Sequence, residues 1–189
     1  MPKNIGNTSS IIDWDEIVRI CQRSNEGDHN TPAAVITRSD EQFEGESLSD
    51  YHRLMKNWID AGYNMEEIEW WDYYPGQHFD ISVQDKIADF VNADARRVFV
   101  SEVYPGKVVP WHWDIEDYEQ QWLAEGELRR YVVFMQKPEF GHVFPLEKDC
   151  FHDMPQGDVW EWNSYRDWHA GINLGTTPHY LFHFLGKPR

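Results

Sequence analysis

The chain has 189 residues and a formal net charge of −16, with 17 Lys and Arg against 33 Asp and Glu. A chain of this length can bury a core of its own, so we expect a single domain over residues 1–189. Phosphate backbones and anionic membrane surfaces attract clusters of Lys and Arg, and the sequence contains no such cluster. We therefore expect neither nucleic acid nor a membrane as a partner.

Two further features of the sequence bear on cellular location, namely its apolar runs and its cysteines. Met1–Ser10 is polar, and no apolar run approaches the roughly 20 residues that a membrane-spanning helix needs. Cys21 and Cys150 are the only cysteines, which is typical of a chain without a disulfide framework. From these features we expect a cytoplasmic protein.

Residues 1–95 are predicted to be a helical and mixed region that supports the second half of the chain. Apolar residues recur at helical spacing in three segments of this region. The predicted helices are Ile11–Arg23, Ser47–Ala61 and Ser82–Ala93, with Ser10 and Ser82 as N-caps. We also expect a flexible leader over residues 1–10, a strand at Pro32–Thr37 and a loop at Asp40–Glu46.

Residues 96–189 have a different character, because short β-forming segments alternate with Gly, Pro and Asn turns. The predicted strands are Arg97–Tyr104, Val108–His112, Arg129–Gln136, Gly141–Phe144, Asp158–Asn163, Trp168–Asn173 and His179–Leu185. Short strands at such spacing indicate a sandwich or a barrel. Helices first and strands after predict an α+β layout with the helices packed on one sheet.

Two histidines and one aspartate form a candidate metal site. His112 and Asp114 flank one residue, and positions i and i+2 of a strand point to the same face. His169 lies in a later predicted strand, which a rolled sheet can bring to the same ion. Two imidazoles and one carboxylate occupy one face of an octahedral metal and leave the other face open, as in non-haem Fe(II) oxygenases. Taken singly, each histidine fits a surface position or a hydrogen-bonded core position better than a ligand role.

These residues and their turns together resemble a known family. The matching segments are Tyr104-Pro105-Gly106, His112-x-Asp114, Gly157-Asp158 with Asn163, and His169-Ala170 with Asn173. They are similar to the motifs of the Fe(II)/2-oxoglutarate oxygenases, nearest the prolyl hydroxylase and aspartyl/asparaginyl β-hydroxylase branches. The resemblance covers residues 96–186. It implies that residues 96–189 form a double-stranded β-helix, a jelly-roll or cupin-like barrel.

The resemblance also implies the chemistry. Fe(II) would be held by His112, Asp114 and His169, with no catalytic side chain expected beyond these ligands. The co-substrates would be 2-oxoglutarate and O2, and the substrate a peptidyl side chain or a small molecule. The reaction would hydroxylate this substrate and decarboxylate 2-oxoglutarate to succinate, while the protein supplies positioning and electrostatics.

The distal carboxylate of 2-oxoglutarate calls for a cation, preferably a bidentate Arg. Many family members carry an Arg or Lys nine or ten residues beyond the distal histidine, where this chain has Pro178 and His179. Arg129 and Arg130 open a predicted strand, and alternation sends at most one of them inward. Lys137-Pro138 resembles the turn that ends this strand in the β-hydroxylases, and this resemblance favours Arg130. The alternative is that both side chains lie in solvent. Tyr104, through its phenol, and His179 complete the candidates for binding the co-substrate.

Tryptophans beside the motif are candidates for a substrate pocket. These are Trp111, Trp160 and Trp162, with core packing as the alternative role. Two other functions stay open at this point. One is a cupin-type metal enzyme that does not use 2-oxoglutarate, which the missing late Arg favours. The other is a non-catalytic binding barrel, which the complete set of metal ligands disfavours.

Overall fold

The computed structural model describes residues 2–24, 27–32, 57–113, 127–162 and 167–189, and most of its regular elements are antiparallel strands. In chain order these strands are β1 (Lys3–Asn7), β2 (Asp28–Asn30), β3 (Trp70–Tyr73), β4 (Ala93–Val103), β5 (Val108–His112), β6 (Arg129–Phe134), β7 (His142–Leu146), β8 (Asp149–Phe151), β9 (Asp158–Trp162), β10 (His169–Asn173) and β11 (His179–Pro188).

The strands form two sheets. The larger sheet has seven strands in the order β1-β9-β6-β11-β4-β3-β2, and the smaller has four in the order β5-β10-β7-β8. Strands β4 and β11 form the longest ladder, from the pair His179 and Val103 to the pair Pro188 and Ala93. From β4 onward the chain passes repeatedly between the sheets, with β5, the pair β7 and β8, and β10 in the smaller sheet and β6, β9 and β11 in the larger. The two sheets are therefore rolled against each other. The space between them is called the barrel interior below.

Strand β11 shows how the two faces of the larger sheet are used. Phe182 and Phe184 pack in a cluster with Trp14 of the first helix. Leu181 points to the opposite face and packs in a second cluster with Phe144 of the smaller sheet. Because side chains alternate along a strand, the odd-numbered residues of this part of β11 face the barrel interior. The even-numbered residues lie under the helices.

Two helices cover the outer face of the larger sheet: α1 (Trp14–Arg23) and α2 (Ser82–Val91). Helix α1 buries Trp14, Ile17 and Cys21, which lie on one face at helical spacing. Both helices contribute to the cluster that contains Phe182 and Phe184. The predicted α+β class, with helices packed on one sheet, is therefore confirmed. In the described part of the chain, no helix is both long and apolar enough to cross a membrane.

The caps of these helices differ from the prediction. Asp13, rather than Ser10, is the N-cap of α1, and its side chain accepts a hydrogen bond from the amide of Glu16 at 3.0 Å. At α2 the prediction of Ser82 as cap is also wrong, because Ser82 is already the first helical residue and Ile81 occupies the N-cap position. The carboxylate of Asp80 accepts from the Ser82 amide at 2.8 Å. In both cases a carboxylate meets the positive helix N-terminus, where a negative charge is favourable.

The expected flexible leader is wrong as well, because residues 3–7 form β1 at the edge of the larger sheet. Asn4 and Asn7 donate hydrogen bonds to the two carboxylate oxygens of Asp158, at 2.9 and 2.7 Å. The amide and the hydroxyl of Thr8 both donate to the carbonyl of Gly157. These polar contacts reinforce the pairing of β1 with β9, and Ile5 packs against the core cluster under the helices.

Besides β1, three further short strands escaped the sequence analysis, namely β2, β3 and β8. Residues 57–60 are helical and agree with the end of the helix predicted at Ser47–Ala61. The rest of that helix, the strand Pro32–Thr37 beyond its first residue and the loop Asp40–Glu46 lie outside the described residues.

Candidate metal centre

His112 and His169 lie opposite each other in the smaller sheet. His112 is the last residue of β5, His169 is the first residue of β10, and the two are paired in the register of these strands. Their ring centroids are 4.3 Å apart, and the ring planes are inclined by 51°. His169 is 7% exposed and His112 is half-buried. Two imidazoles therefore converge at one end of the barrel interior, which we call the mouth.

The hydrogen bonds of this pair fix which ring nitrogen carries the proton. Nδ1 of His112 lies 2.7 Å from the carbonyl oxygen of Pro110, and Nδ1 of His169 lies 3.0 Å from that of Asp167. A carbonyl oxygen only accepts, so each Nδ1 must donate. In the neutral ring the lone pair is then on Nε2, the form in which histidine binds a metal. The two residues thus fit a divalent metal.

The third predicted ligand, Asp114, lies outside the described residues. Within the described ranges, no three His, Cys, Asp or Glu side chains come together in a way that could hold a metal ion. The residue between the predicted ligands is described: Trp113 packs edge-on against Trp168 with ring centroids 4.4 Å apart. Trp168 is 38% exposed. This pair of rings therefore lies on the outer side of the smaller sheet, away from the two histidines.

Aromatic side chains form the inner wall beside His169. The ring of Trp162 lies 6.0 Å from the His169 ring and that of Phe144 lies 6.2 Å away. Trp162 is 4% exposed, and its indole N–H has no hydrogen-bond partner among the described residues. Of the three tryptophans predicted for a substrate pocket, Trp162 is the one placed against the histidine pair.

The other two tryptophans lie elsewhere. Trp160 packs against Phe151 of β8 at 4.7 Å, and its indole N–H is also buried without a partner in the described part of the chain. Trp111 is half-buried, and its carbonyl oxygen accepts a hydrogen bond from the indole of Trp58 at 2.9 Å. This bond ties β5 to the helical residues 57–60.

Arg129 and Arg130 point to opposite faces of the larger sheet, as alternation requires. Arg129 makes ion pairs with Glu127 at 3.1 Å and Glu161 at 3.7 Å, on the outer side. Arg130 lies on the face of the sheet that lines the barrel interior, and it is paired with Trp162 of the neighbouring strand β9. Because Trp162 also contacts the His169 ring, Arg130 is the one of the two arginines that lies near the mouth.

Tyr104 and His179 have contrasting surroundings. Tyr104, just beyond β4, is 39% exposed, and its pKa is raised by partial burial and by the nearby carboxyl of Glu102. His179 is 1% exposed and stacks on His142, with ring centroids 4.5 Å apart and planes inclined by 13°. The sequence suggested His179 as a candidate but gave no sign of its partner, because the two strands lie in different sheets.

The fold and the histidine pair define a class of protein: a rolled barrel of antiparallel strands with imidazoles at its mouth. A prolyl-4-hydroxylase from Pseudomonas putida matches with a TM-score of 0.52 and 10% identity, covering 99% of this chain and 91% of that chain. A viral collagen prolyl hydroxylase from Paramecium Bursaria Chlorella virus-1 matches with a TM-score of 0.45 and 16% identity, over 73% and 89%. An oxidoreductase of the 2OG-Fe(II) oxygenase family from Burkholderia pseudomallei matches with a TM-score of 0.42 and 13% identity, over 88% and 97%.

No protein-family model and no curated protein matches the sequence. The likeness to the Pseudomonas putida protein extends over nearly the whole of both chains, and it establishes the fold. The chain is a double-stranded β-helix protein. The resemblance inferred from the sequence is confirmed for the fold, since this fold is one that 2-oxoglutarate oxygenases use.

Proposed function

We propose that the protein is an Fe(II)- and 2-oxoglutarate-dependent dioxygenase that hydroxylates a peptidyl side chain or a small molecule. The observation that carries the proposal is the convergence of His112 and His169 on adjacent strands, each with Nδ1 bonded to a backbone carbonyl. Each ring is thereby fixed in the tautomer whose Nε2 can bind a metal, and the two rings share one side of the mouth.

His112, Asp114 and His169 are the residues that would hold the metal. When bound, Fe(II) supplies a redox-active Lewis acid with open positions for 2-oxoglutarate and O2. The chain contributes orientation, because the carbonyls of Pro110 and Asp167 hold the two imidazole rings. A rigid ring orientation means that little ordering is needed when the metal binds.

The interior wall contributes a dry surface next to the ligands. Trp162 and Phe144 are both buried and contact each other at 6.1 Å as well as the His169 ring. Such a wall excludes water from one side of the centre, which strengthens electrostatic interactions there. Arg130, on the same face as Trp162, is our candidate for a cation that meets an anionic group entering at the mouth.

The proposal is tested by mixing the purified protein anaerobically with Fe(II) and then with 2-oxoglutarate. Chelation of the metal by the co-substrate should produce a weak visible charge-transfer band, and admission of O2 should convert 2-oxoglutarate to succinate. Replacing Asp114 by Ala, or His112 by Ala, should abolish both signals. A spectrum that 2-oxoglutarate leaves unchanged would instead favour a metal enzyme that does not use it.

His152 offers a matched control for the histidine variants. It is exposed, and its Nδ1 bonds the carbonyl oxygen of Cys150 at 3.2 Å, the same two-residue geometry as in the mouth pair. His152→Ala removes one imidazole without touching the mouth, so Fe(II) binding and turnover should persist. Full activity in the Asp114→Ala variant would contradict the assignment of the ligand set.

A further inference from the structure

The most unusual polar group of the structure is the imidazole of His179. It is 1% exposed, and neither Nδ1 nor Nε2 has a hydrogen-bond partner in the described part of the chain. A buried polar group without a partner costs about 1–3 kcal/mol, and native proteins seldom retain one without a reason. The ring therefore marks a place where a ligand could supply the missing bonds.

His142, the ring stacked on His179, cannot supply them. Its Nε2 donates to the carbonyl oxygen of Thr177 at 2.8 Å, and its Nδ1 accepts from the amide of Glu139 at 3.2 Å. Both nitrogens are thus hydrogen-bonded to backbone atoms of the loops that precede β7 and β11. The stack is nearly parallel, so the edge of the His179 ring is not directed at its partner.

The stacked pair lies inside the barrel, deeper than the mouth histidines. His142 belongs to the smaller sheet and His179 to the larger, so the two rings bridge the interior. His142 is paired with Asn173, at the other end of β10 from His169. Four residues of strand separate these positions, which corresponds to about 13 Å along the barrel.

No arginine of the interior face reaches this inner end in the described ranges. Arg97 and Arg130 are both paired with Leu185, six positions further along β11 than His179. At the rise of a strand this is about 20 Å. Among the described residues, a carboxylate that entered the inner end would therefore meet imidazoles rather than an arginine.

We propose that His179, stacked on His142, is the receptor for the distal carboxylate of the co-substrate, and that carboxylate binding is coupled to the uptake of one proton from solvent. The inference rests on the proposed function. An unneutralised carboxylate in a dry site costs several kcal/mol, so the bound state needs a compensating proton. Whether that proton sits on the ring or on the carboxyl group, the pair carries no net charge and His179 gains a hydrogen bond.

The titratable neighbours of His179 are consistent with this coupling. His142 faces it from β7 and His183 lies on the same face of β11, with Nε2 2.8 Å from the hydroxyl of Ser101. The carboxylate of Glu139 accepts from the hydroxyl of Thr177 at 2.7 Å. From β4, the paired residue is the apolar Val103.

The protonation states give the direction of the pH dependence. Burial, with smaller effects of His142 and His183, lowers the pKa of His179 to about 3, so the ligand-free ring is neutral at pH 7. A bound carboxylate raises the pKa of the ring, because an opposite charge favours the protonated form. Between the pKa of the ligand-free ring and the higher pKa of the carboxylate-bound ring, the affinity for the carboxylate falls about tenfold for each unit by which the pH rises.

The experiment is calorimetric binding to the anaerobic Fe(II)-loaded protein, in pairs of buffers with different ionisation enthalpies. The probes are 2-oxoglutarate and 2-oxopentanoate, which has the same chain length and the same chelating end but no distal carboxylate. Uptake of about one proton is expected for 2-oxoglutarate and none for 2-oxopentanoate. In His179→Phe, which retains a ring for the stack, 2-oxoglutarate should bind at least about tenfold more weakly while 2-oxopentanoate binds as before.

The possible outcomes separate the two proposals. If neither oxoacid binds, the proposed function fails and the receptor fails with it. If both bind with equal affinity, or if His179→Phe retains the proton uptake, the function stands and the receptor is overturned. Loss of the preference for 2-oxoglutarate in Arg130→Met, but not in His179→Phe, would assign the distal carboxylate to Arg130 and also overturn it.

Discussion

Glu102 is a carboxyl group buried on the helix-covered face of β4, and replacing it by Gln should change how stability depends on pH. The side chain is 1% exposed and accepts hydrogen bonds from the hydroxyls of Tyr73, at 2.5 Å, and Tyr180. Burial raises its pKa, and the two phenol hydrogen bonds offset that effect only in part. In Glu102→Gln, the amide can accept from one phenol and donate to the other.

The sign follows from the raised pKa of the folded state. The stabilising contribution of the protonated Glu102 is fully present below the unfolded pKa, for which the ordinary value is 4.5, and is lost as the pH rises through the folded pKa. Wild type and Glu102→Gln should thus be similarly stable at acid pH. Above pH 4.5 the free energy of unfolding of the wild type should fall by up to about 1.4 kcal/mol per pH unit relative to the variant. This fall should end once the pH exceeds the pKa of Glu102 in the folded state.

The matched control is Glu102→Leu, which removes both acceptors. It leaves two buried hydroxyls unsatisfied, each costing about 1–3 kcal/mol, so its free energy of unfolding should fall by about 2–6 kcal/mol. Urea unfolding of the three proteins from pH 4 to pH 8 measures both effects. If Glu102→Gln showed the same pH dependence as the wild type, Glu102 would not titrate with folding and the reasoning would fail.

Three further predictions concern stability and are checked by the same unfolding measurement. Trp14→Ala should cost about 3–5 kcal/mol, because the ring is 1% exposed in the cluster under the helices; a loss below 1 kcal/mol would place the ring outside the core. Gly141→Ala should destabilise far more than Gly106→Ala, since both have positive φ but a Cβ at 141 would lie 2.3 Å from a backbone nitrogen, while none lies within 4 Å at 106; equal effects would refute the close approach. Asn173→Ala removes three hydrogen bonds, at 2.7, 2.8 and 2.9 Å, and should cost about 3 kcal/mol, so a neutral result would contradict them.

The strands that the sequence predicts well are those with dense β-forming residues. β5 has the predicted bounds, and β6 begins at the predicted Arg129. β1 could not be predicted in the same way, since its sequence Lys-Asn-Ile-Gly-Asn has neither an apolar run nor clean alternation. Its order comes from Asn4 and Asn7 bonding Asp158, about 150 residues away in the chain. Local pattern carries no information on such a contact.

The start of α1 shows a second limit. Ser10 and Asp13 are both good capping residues, so propensity alone cannot choose between them. The choice is made by a turn before the helix, where the amides of Ile11 and Ile12 both donate to the carbonyl of Thr8. This turn uses the residues that would have formed the first helical turn, and the helix begins at Trp14 instead.

In the candidate site, the sequence predicted which residues take part. It did not predict which ring nitrogen carries the proton or which hydrogen bonds each ring makes. The pattern around His112 and His169 indicated two ligands on strands that a rolled sheet could bring together, and the register of β5 and β10 pairs them. The sequence could not assign the proton to Nδ1, because that depends on the carbonyls of Pro110 and Asp167. Nor could it separate His142, whose nitrogens are both bonded, from His179, whose nitrogens have no partner in the described residues.

A last prediction uses the difference between an imidazole and a guanidinium. Arginine remains charged throughout the working pH range, so a carboxylate bound by arginine needs no proton from solvent. If His179 is the carboxylate receptor, His179→Arg should bind 2-oxoglutarate without proton uptake and with an affinity that no longer falls as the pH rises. The planar guanidinium can stack on His142 as the imidazole does, and His179→Lys provides a second permanent cation if Arg disturbs the stack. Calorimetry in paired buffers measures the uptake, and a variant that kept the pH dependence of the wild type would show that another group takes up the proton.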